Sequence, residues 1–283
     1  MPETKPRGSL WIVGTPIGNL EDFSPRAQRV LASSDAIFCE DTRVTAKLAA
    51  RFGLAAARVS CPAPRERSRE PELLRRLAAG EAVAFVSDAG MPALSDPGER
   101  LVAAAAAGGF PVYVVPGPSA VSAAVALSGF DAVPHAFLGF LPSRSGERRR
   151  ALEARRSSPD ALVWFEAPHR LVGSLEDAAA VLGPRRACVA RELTKVHEEA
   201  ARGTLPELAR IFRDRGPARG EVTVVVEGAP PAVTSLSDAE VDAAIREGIA
   251  AGHGKREIAR EVAANSGRST RQIYARAVRL SKP

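Results

Sequence analysis

The sequence predicts an α/β protein: two successive α/β domains and then a small helical segment. Three observations predict it. In the first half of the chain, short apolar runs alternate with helix-forming stretches, which implies a mostly parallel sheet with helices on both faces. After a break near Ser128–Pro134 the alternation restarts with strands closer together, which implies a mixed sheet. Beyond a linker at Gly228–Thr234, carrying Pro230-Pro231, only helical periodicity remains. The divisions that follow are 1–130, 131–230 and 235–283.

Leu10–Val13 is the first strand. Ser24-Pro25 opens a helix, with serine as the cap and proline, whose φ is already helical, at the first helical position. Ala36–Cys39 is the next strand, and Asp41 caps a helix that runs to Phe52 and stops at Gly53. Ala82–Val86 follows. Asp96-Pro97 is expected to open a helix ending at Gly108-Gly109. Val112–Val115 is a strand and Ser119–Leu127 a helix. In the second half, Ala136–Phe140 and Ala161–Phe165 are strands around a charged helix, and Pro168–Leu182 is helical. Ala187–Ala190, about Glu198–Gly203 and Val222–Glu227 are strands. Asp238–Leu280 is helical, with Lys255–Ala264, a turn at Asn265–Gly267 and Ser269–Leu280 forming a helix-turn-helix pattern. Its apolar positions are Ile249, Ile258, Val262, Ile273, Tyr274 and Val278.

The formal net charge is +6. From Arg246 to Pro283 there are nine Lys/Arg against three Glu, so the excess is concentrated at the C-terminal end. A localised basic segment points to an anionic partner such as nucleic acid. Cys39, Cys61 and Cys188 are scattered and odd in number, which fits reduced thiols in the cytoplasm. Met1–Gly8 is polar, unlike a signal peptide, and no apolar run is long enough to span a membrane. No metal is implied, because His135, His169, His197 and His253 lack ligand spacing.

Four junctions where strands meet loops carry the chemistry: Val13–Leu20, Cys39–Arg43, Ser87–Pro92 and Pro116–Ala120. Ligands of open α/β sheets bind at that edge. Gly14 and Gly18 alone do not make a dinucleotide fingerprint, and a P-loop lysine is missing. A less anionic nucleoside-like ligand held by main chain remains. S-adenosylmethionine fits, with Asp88 as a carboxylate able to complement its sulfonium.

These junctions, with Ser95–Gly98, resemble the ribosomal RNA small subunit methyltransferase I family, a branch of the tetrapyrrole methylase superfamily. The likeness continues through Gly139–Pro142, Phe165–Arg170, Ala190–Lys195, Gly203–Leu205 and Gly220–Val222. It covers about Leu10 to Glu227. Met91 departs from it, standing where the family usually has threonine, and Gly14 stands where other small residues or proline are common.

The resemblance implies two α/β domains of the tetrapyrrole methylase type with the cofactor cleft between them. It implies S-adenosyl-L-methionine as methyl donor and a cytidine 2′-hydroxyl in the decoding region of 16S ribosomal RNA as acceptor. The partners implied are the small ribosomal subunit and a second copy of the chain. By motif, cofactor contacts fall on Thr15, Pro16, Asp88, Ala89, Gly90, Ser119, Ala120, Phe165, Glu221 and Val222. Candidate proton acceptors are Glu40, Asp41, Glu166, His169, Glu192 and Lys195. Glu192 is preferred, with Lys195 and Arg191 orienting the ribose-phosphate. Phosphate contacts are assigned to Arg43, Arg144, Arg170, Lys255, Arg256, Arg268 and Arg271, with Arg65, Arg67, Arg69 and Arg148–Arg150 as further candidates. Two other readings stay open: a tetrapyrrole C-methyltransferase of the same fold, and a non-catalytic ribosome-assembly or nucleic-acid-binding factor.

Overall fold

The computed structural model describes residues 8–230 and 236–281. The expectation for Met1–Gly8 (save Gly8) and that for the linker core at 231–235 lie outside the described residues. Contacts divide the chain into two units, Met1–Gly228 and Ala229–Pro283.

The first unit begins with β1 (Ser9–Val13), α1 (Pro25–Ala32), β2 (Ala36–Cys39) and α2 (Thr42–Phe52). The expected caps form. Ser24 Oγ accepts from Ala27 N–H at 3.1 Å, and Asp41 Oδ1 from Arg43 N–H at 2.8 Å. Gly53 closes α2 at φ 66°, a left-handed conformation that glycine adopts without strain. Next come β3 (Ala57–Ser60), α3 (Glu66–Ala78), β4 (Ala82–Val86), α4 (Glu99–Ala107), β5 (Val112–Val115) and α5 (Ala120–Leu127). The sheet has five strands in the order β3-β2-β4-β1-β5, all parallel. Every strand therefore delivers its C-terminal loop to one edge.

Neither β3 nor α3 is anticipated by the sequence pattern. β3 is an edge strand with no fully buried residue, so it lacks an apolar signature. α3 buries only Glu66, Leu73 and Leu77 and carries Pro71 inside, so it reads as a charged loop. The expected start of α4 also moves. Asp96-Pro97 does not open the helix; Gly98 is its cap, at φ 129°. The capping oxygen comes from another helix. Glu66 Oε1 accepts from Gly98, Arg100 and Leu101 N–H at 3.0, 2.8 and 3.2 Å. This carboxylate, 6% exposed, serves the donors that a helix start leaves orphaned. Glu66→Ala is expected to cost about 2–3 kcal/mol, read as a lower urea midpoint at unchanged slope. Asp96, released from capping, is free for other work.

The second half contains β6 (His135–Phe140), α6 (Ser145–Glu153), β7 (Ala161–Glu166), α7 (Leu171–Leu182) and β8 (Arg186–Arg191). It ends with β9 (Glu199–Thr204), α8 (Leu205–Asp214) and β10 (Val222–Val226). The expected helix Pro168–Leu182 opens with a 3-10 turn at Pro168–Arg170. α8, not anticipated, carries a Thr204–Glu207 capping box and buries Leu205, Leu208, Ala209 and Phe212. The order is β6-β7-β10-β8-β9, with β6 parallel to β7 and the remaining pairs antiparallel. The mixed sheet is as expected.

Strand residues alternate between faces, as the pleat requires. In the first sheet Trp11, Val13, Ile37 and Ala84 enter one cluster, and Leu10, Ile12, Phe38 and Phe85 the other. Leu162 and Trp164 of β7 face α6–α8, while Ala161 and Val163 face Val121 and Ala124 of α5. That last cluster also contains Ile17. The two sheets are thus locked through α5 and the first loop, which fixes the cleft at their edges. Cys39, Cys61 and Cys188 are buried free thiols.

The second unit is a three-helix body of α9 (Asp238–Ala250), α10 (Lys255–Ser266) and α11 (Thr270–Leu280). Val241, Ile245, Ile258, Val262 and Ile273 form its core. Gly267, at φ 67°, makes the turn, and Ser269 with Gln272 makes the capping box of α11. Tyr274, expected inside, is 40% exposed. No helix among the described residues is long and apolar enough to cross a membrane.

Candidate active site

Two cavities open at the strand ends of the first sheet, and the first of them is closed on its far side by the second sheet. Cavity one, about 330 Å³, is lined by Ala89–Met91, Leu94–Asp96 and Ser119-Ala120 from the first half. Phe140, Phe165–Pro168 and Gly220–Thr223 line it from the second. Cavity two, about 300 Å³, is lined by Thr15–Gly18, Leu20, Val44, Thr45, Lys47, Leu48 and Val86–Ala89. Ile17 and Ala89 border both.

Main-chain contacts build the wall between them. Thr15 and Gly90 form an isolated antiparallel bridge, N–H to O at 2.9 and 3.1 Å in the two directions. Gly90 holds φ 80° to make it. Gly14 and Gly117 touch backbone to backbone: a Cβ on Gly14 would lie 2.6 Å from Gly117 Cα. Met91, the departure from the family pattern, places its thioether sulfur 3.3 Å from Gly117 N–H as acceptor. Its side chain thus fastens two loops together.

The expected cofactor contacts therefore separate. Ala89, Gly90, Ser119, Ala120, Phe165, Glu221 and Val222 line cavity one. Thr15, Pro16 and Asp88 line cavity two instead. The amides of Thr15 and Gly90 are spent on each other, so they are not free for a ligand.

The preferred catalytic group, Glu192, and its companions Lys195 and Arg191 line neither cavity. Glu192 sits at φ 51° and Thr194 at φ 65°, strained values for side chains other than glycine. Glu192 Oε1 accepts from Lys195 Nζ at 2.8 Å and from Glu221 N–H at 3.0 Å. The Lys195 hydrogen bond, then that from Glu221, holds the Glu192 carboxyl below its ordinary range, so it stays ionised and occupied. Burial opposes the charge on Lys195, but Glu192 and Glu221 outweigh it and raise its pKa. Arg191 turns away to Glu199 at 2.9 Å and the carbonyl of Arg219. These residues shape a turn that clasps the first loop. Asn19 N–H donates to Thr194 Oγ1 at 3.0 Å, and a Cβ on Gly18 would lie 2.5 Å from Lys195 Cγ.

Among the carboxyls lining cavity one is Asp96, which the sequence pattern places at a helix start. Burial, then the charge of Glu40, pushes its pKa up to about 6, against a hydrogen bond from Ser87. Burial, then the charge of Asp88, raises Glu40, and burial raises Asp88 against a hydrogen bond from the Asp41 amide. A carboxyl poised this close to neutrality is suited to proton transfer. Asp41 caps α2, and His169 is exposed and lines neither cavity. Glu166 lines cavity one at 2% exposure. Its Oε1 meets Ala167 N–H at 2.9 Å and Arg170 Nε at 3.2 Å, whereas its buried Oε2 has no hydrogen-bond partner among the described residues.

The arginines assigned to phosphate divide as well. Arg43 and Arg144 are exposed beside Asp41 and Glu147. Lys255, Arg256 and Arg271 are exposed. Arg170 is a correction: it donates to the carbonyls of Leu141 and Pro142 at 2.7 and 3.0 Å and so braces a loop. Arg268 is tied to Asp238 at 2.5 Å and the carbonyl of Leu236 at 3.1 Å. Arg148, a further phosphate candidate, is 6% exposed and pairs with Asp177. Arg69 donates to Ser60 and Glu72.

Comparison with known proteins follows the same line. The family model described as Tetrapyrrole (Corrin/Porphyrin) Methylases matches residues 9–209. A protein of Halalkalibacterium halodurans named ribosomal RNA small subunit methyltransferase I is 39% identical over 95% of this chain and 94% of its own length. One of that name from Thermotoga maritima is 44% identical, covering 78% of this chain and 99% of its own. A crystal structure of the methyltransferase CobJ matches with TM-score 0.61 at 21% identity, over 78% of this chain and 95% of that one. The last likeness speaks to fold alone.

Proposed function

Since the chain belongs to the tetrapyrrole methylase family, in its ribosomal RNA small subunit methyltransferase I branch, we propose that it methylates the ribose 2′-hydroxyl of a cytidine in the decoding region of 16S ribosomal RNA. In class it is a ribosomal RNA methyltransferase that uses S-adenosyl-L-methionine. The observation that carries the hydroxyl-methylation part of this reading is Asp96, a carboxyl raised to about 6 that lines a cavity of largely apolar groups.

Cavity one fits the cofactor. Phe140, Phe165, Leu94 and Ile17 offer apolar faces to an adenine. The buried, unpartnered Glu166 Oε2 is an acceptor waiting for a donor. When bound, the cofactor supplies an electrophilic methyl carbon on a positively charged sulfur. Ala89, Gly90, Ser119, Ala120, Phe165, Glu221 and Val222 are the residues proposed to hold it. With the cofactor held there, the Asp96 carboxylate would take the proton of the ribose hydroxyl. Phe140 and Phe165 exclude water, and alignment by the walls supplies roughly 7–11 kcal/mol of the barrier.

The reading places phosphate contacts on Arg43, Arg144, Lys255, Arg256 and Arg271, in the small ribosomal subunit. It keeps the division at 1–130, 131–230 and 235–283. It also includes a homodimer, supported by the exposed Tyr113 and Val114 on edge strand β5. Affinity for the subunit's RNA is expected to fall steeply with salt. Arg271→Ala should reduce the log–log slope by about 0.7–0.9, measured by filter binding over a salt series.

The deciding experiment is methyl transfer from labelled S-adenosylmethionine to small subunits from cells lacking this protein, with the modified nucleotide mapped by mass spectrometry. A 2′-O-methylcytidine in the decoding region is expected. Cofactor binding without label in RNA would refute the substrate.

A further inference from the structure

Cavity two is left over once the cofactor is placed in cavity one, and its chemistry is distinct. Its walls are the aliphatic side chains of Ile17, Leu20, Val44 and Leu48. Leu20 and Val44 are 45% and 38% exposed, so the mouth is open and apolar. Apolar, exposed side chains facing a cavity suit the flat face of a nucleobase. At the strand-end side lies Asp88. One of its oxygens accepts Asp41 N–H at 3.0 Å; the other has no hydrogen bond among the described residues. Lys47 borders the cavity, exposed and without an ion pair among the described residues. A free ammonium there suits a ligand with a phosphate, which the cofactor lacks. The shared borders, Ile17 and Ala89, put the cavity next to the one that Asp96 faces.

We infer that cavity two seats the base of the target nucleotide and that Asp88 selects a base bearing an exocyclic amine. The inference rests on the RNA methyltransferase reading and adds the substrate subsite to it. A carboxylate accepts a hydrogen bond from the N4 amine of cytosine, whereas it meets the O4 carbonyl of uracil oxygen to oxygen, without a proton between them. Drawing the base out of its stack into a side pocket would present the attached ribose to cavity one, with the phosphate near Lys47. Asp88 is then a specificity residue for the RNA, and its earlier assignment to the cofactor is replaced.

The test uses the full-length protein and small subunits reconstituted with transcribed 16S RNA carrying either cytidine or uridine at the mapped position. Wild type, Asp88→Asn and Val44→Trp are compared for initial rate of methyl transfer and, separately, for S-adenosylmethionine affinity by equilibrium dialysis. Val44 is exposed on α2, so tryptophan fills the mouth without disturbing the core. Val44→Trp is expected to lower transfer about tenfold or more at unchanged cofactor affinity, and Asp88→Asn to shrink the preference for cytidine over uridine by about tenfold. Wild-type rates in Val44→Trp, or an unchanged preference in Asp88→Asn, would overturn the inference. Loss of cofactor affinity in both variants would do so too, by making cavity two part of the cofactor site. If the wild-type protein binds cofactor yet labels neither RNA, the underlying reading fails, and that result is separable from the others.

Discussion

Asp96→Asn is expected to reduce methyl transfer to the small ribosomal subunit by about 10²–10⁴-fold with little change in cofactor affinity. The amide keeps the size of the side chain but can neither take a proton nor carry the carboxylate's charge. Wild-type activity should rise as pH passes about 6, because burial and Glu40 hold the Asp96 proton to that point. The variant should show no such step. The sign for stability is opposite. Asp96 binds its proton more tightly folded than unfolded, so its contribution is full below the ordinary carboxylate range. That contribution is lost as pH rises through about 6. Asp96→Asn should remove this descending limb from a plot of urea midpoint against pH. A pH-rate profile unchanged in the variant would exclude Asp96 as proton acceptor.

Arg148→Ala is expected to destabilise the protein by about 3–5 kcal/mol. Arg148 reaches Asp177 through Nε at 2.8 Å and through its terminal nitrogen at 2.5 Å, and both side chains are almost wholly buried. Burial alone would raise the pKa of Asp177, but hydrogen bonds from Arg149, Ser145 and Arg148 lower it instead. Removing Arg148 leaves a buried carboxylate served, among the described residues, by Ser145 and the half-exposed Arg149. The arginine also donates to the carbonyls of Pro142 and Ser143, so the loop after β6 loosens with it. A urea midpoint measures the loss, and Arg148→Met combined with Asp177→Leu should recover much of it. The salt slope of RNA binding should stay as in wild type, which separates this arginine from a phosphate contact.

Legibility in the sequence followed the kind of signal each residue carries. The strands of the first sheet, apart from β3, are apolar runs ended by glycine and proline, and they were found near their observed bounds. So were α1 and α2, whose caps are local. α4 was misplaced because its cap, Glu66, lies on a different helix, and no local pattern records that pairing. The loops around the cavities were visible as motifs. Which side of the Thr15–Gly90 bridge each residue faces was not, because that depends on two loops distant in sequence. Glu192 looked chemically available beside Arg191 and Lys195. Only its contacts with Lys195 and Glu221 show that the carboxylate is already committed. Asp96 was hidden by the resemblance of Asp-Pro to a helix start. Arginine faces were the least legible. Arg148 and Arg150 are near neighbours in one basic run, and helix rotation alone puts the first inside and the second outside.

The buried thiols give the molecule a built-in clock. Burial, then the charge of Glu66, pushes Cys61 up to about 12, and burial raises Cys39 and Cys188 as well. Since the thiolate is the reacting species, a maleimide should modify the closed protein hardly at all. Modification then proceeds only as fast as the surrounding structure opens. Cys39 and Cys61 lie in the first sheet's cores, and Cys188 lies in the cluster beneath α5. Alkylation read cysteine by cysteine would therefore time the opening of one sheet against that of the clasp between the two, with no label added to the chain beforehand.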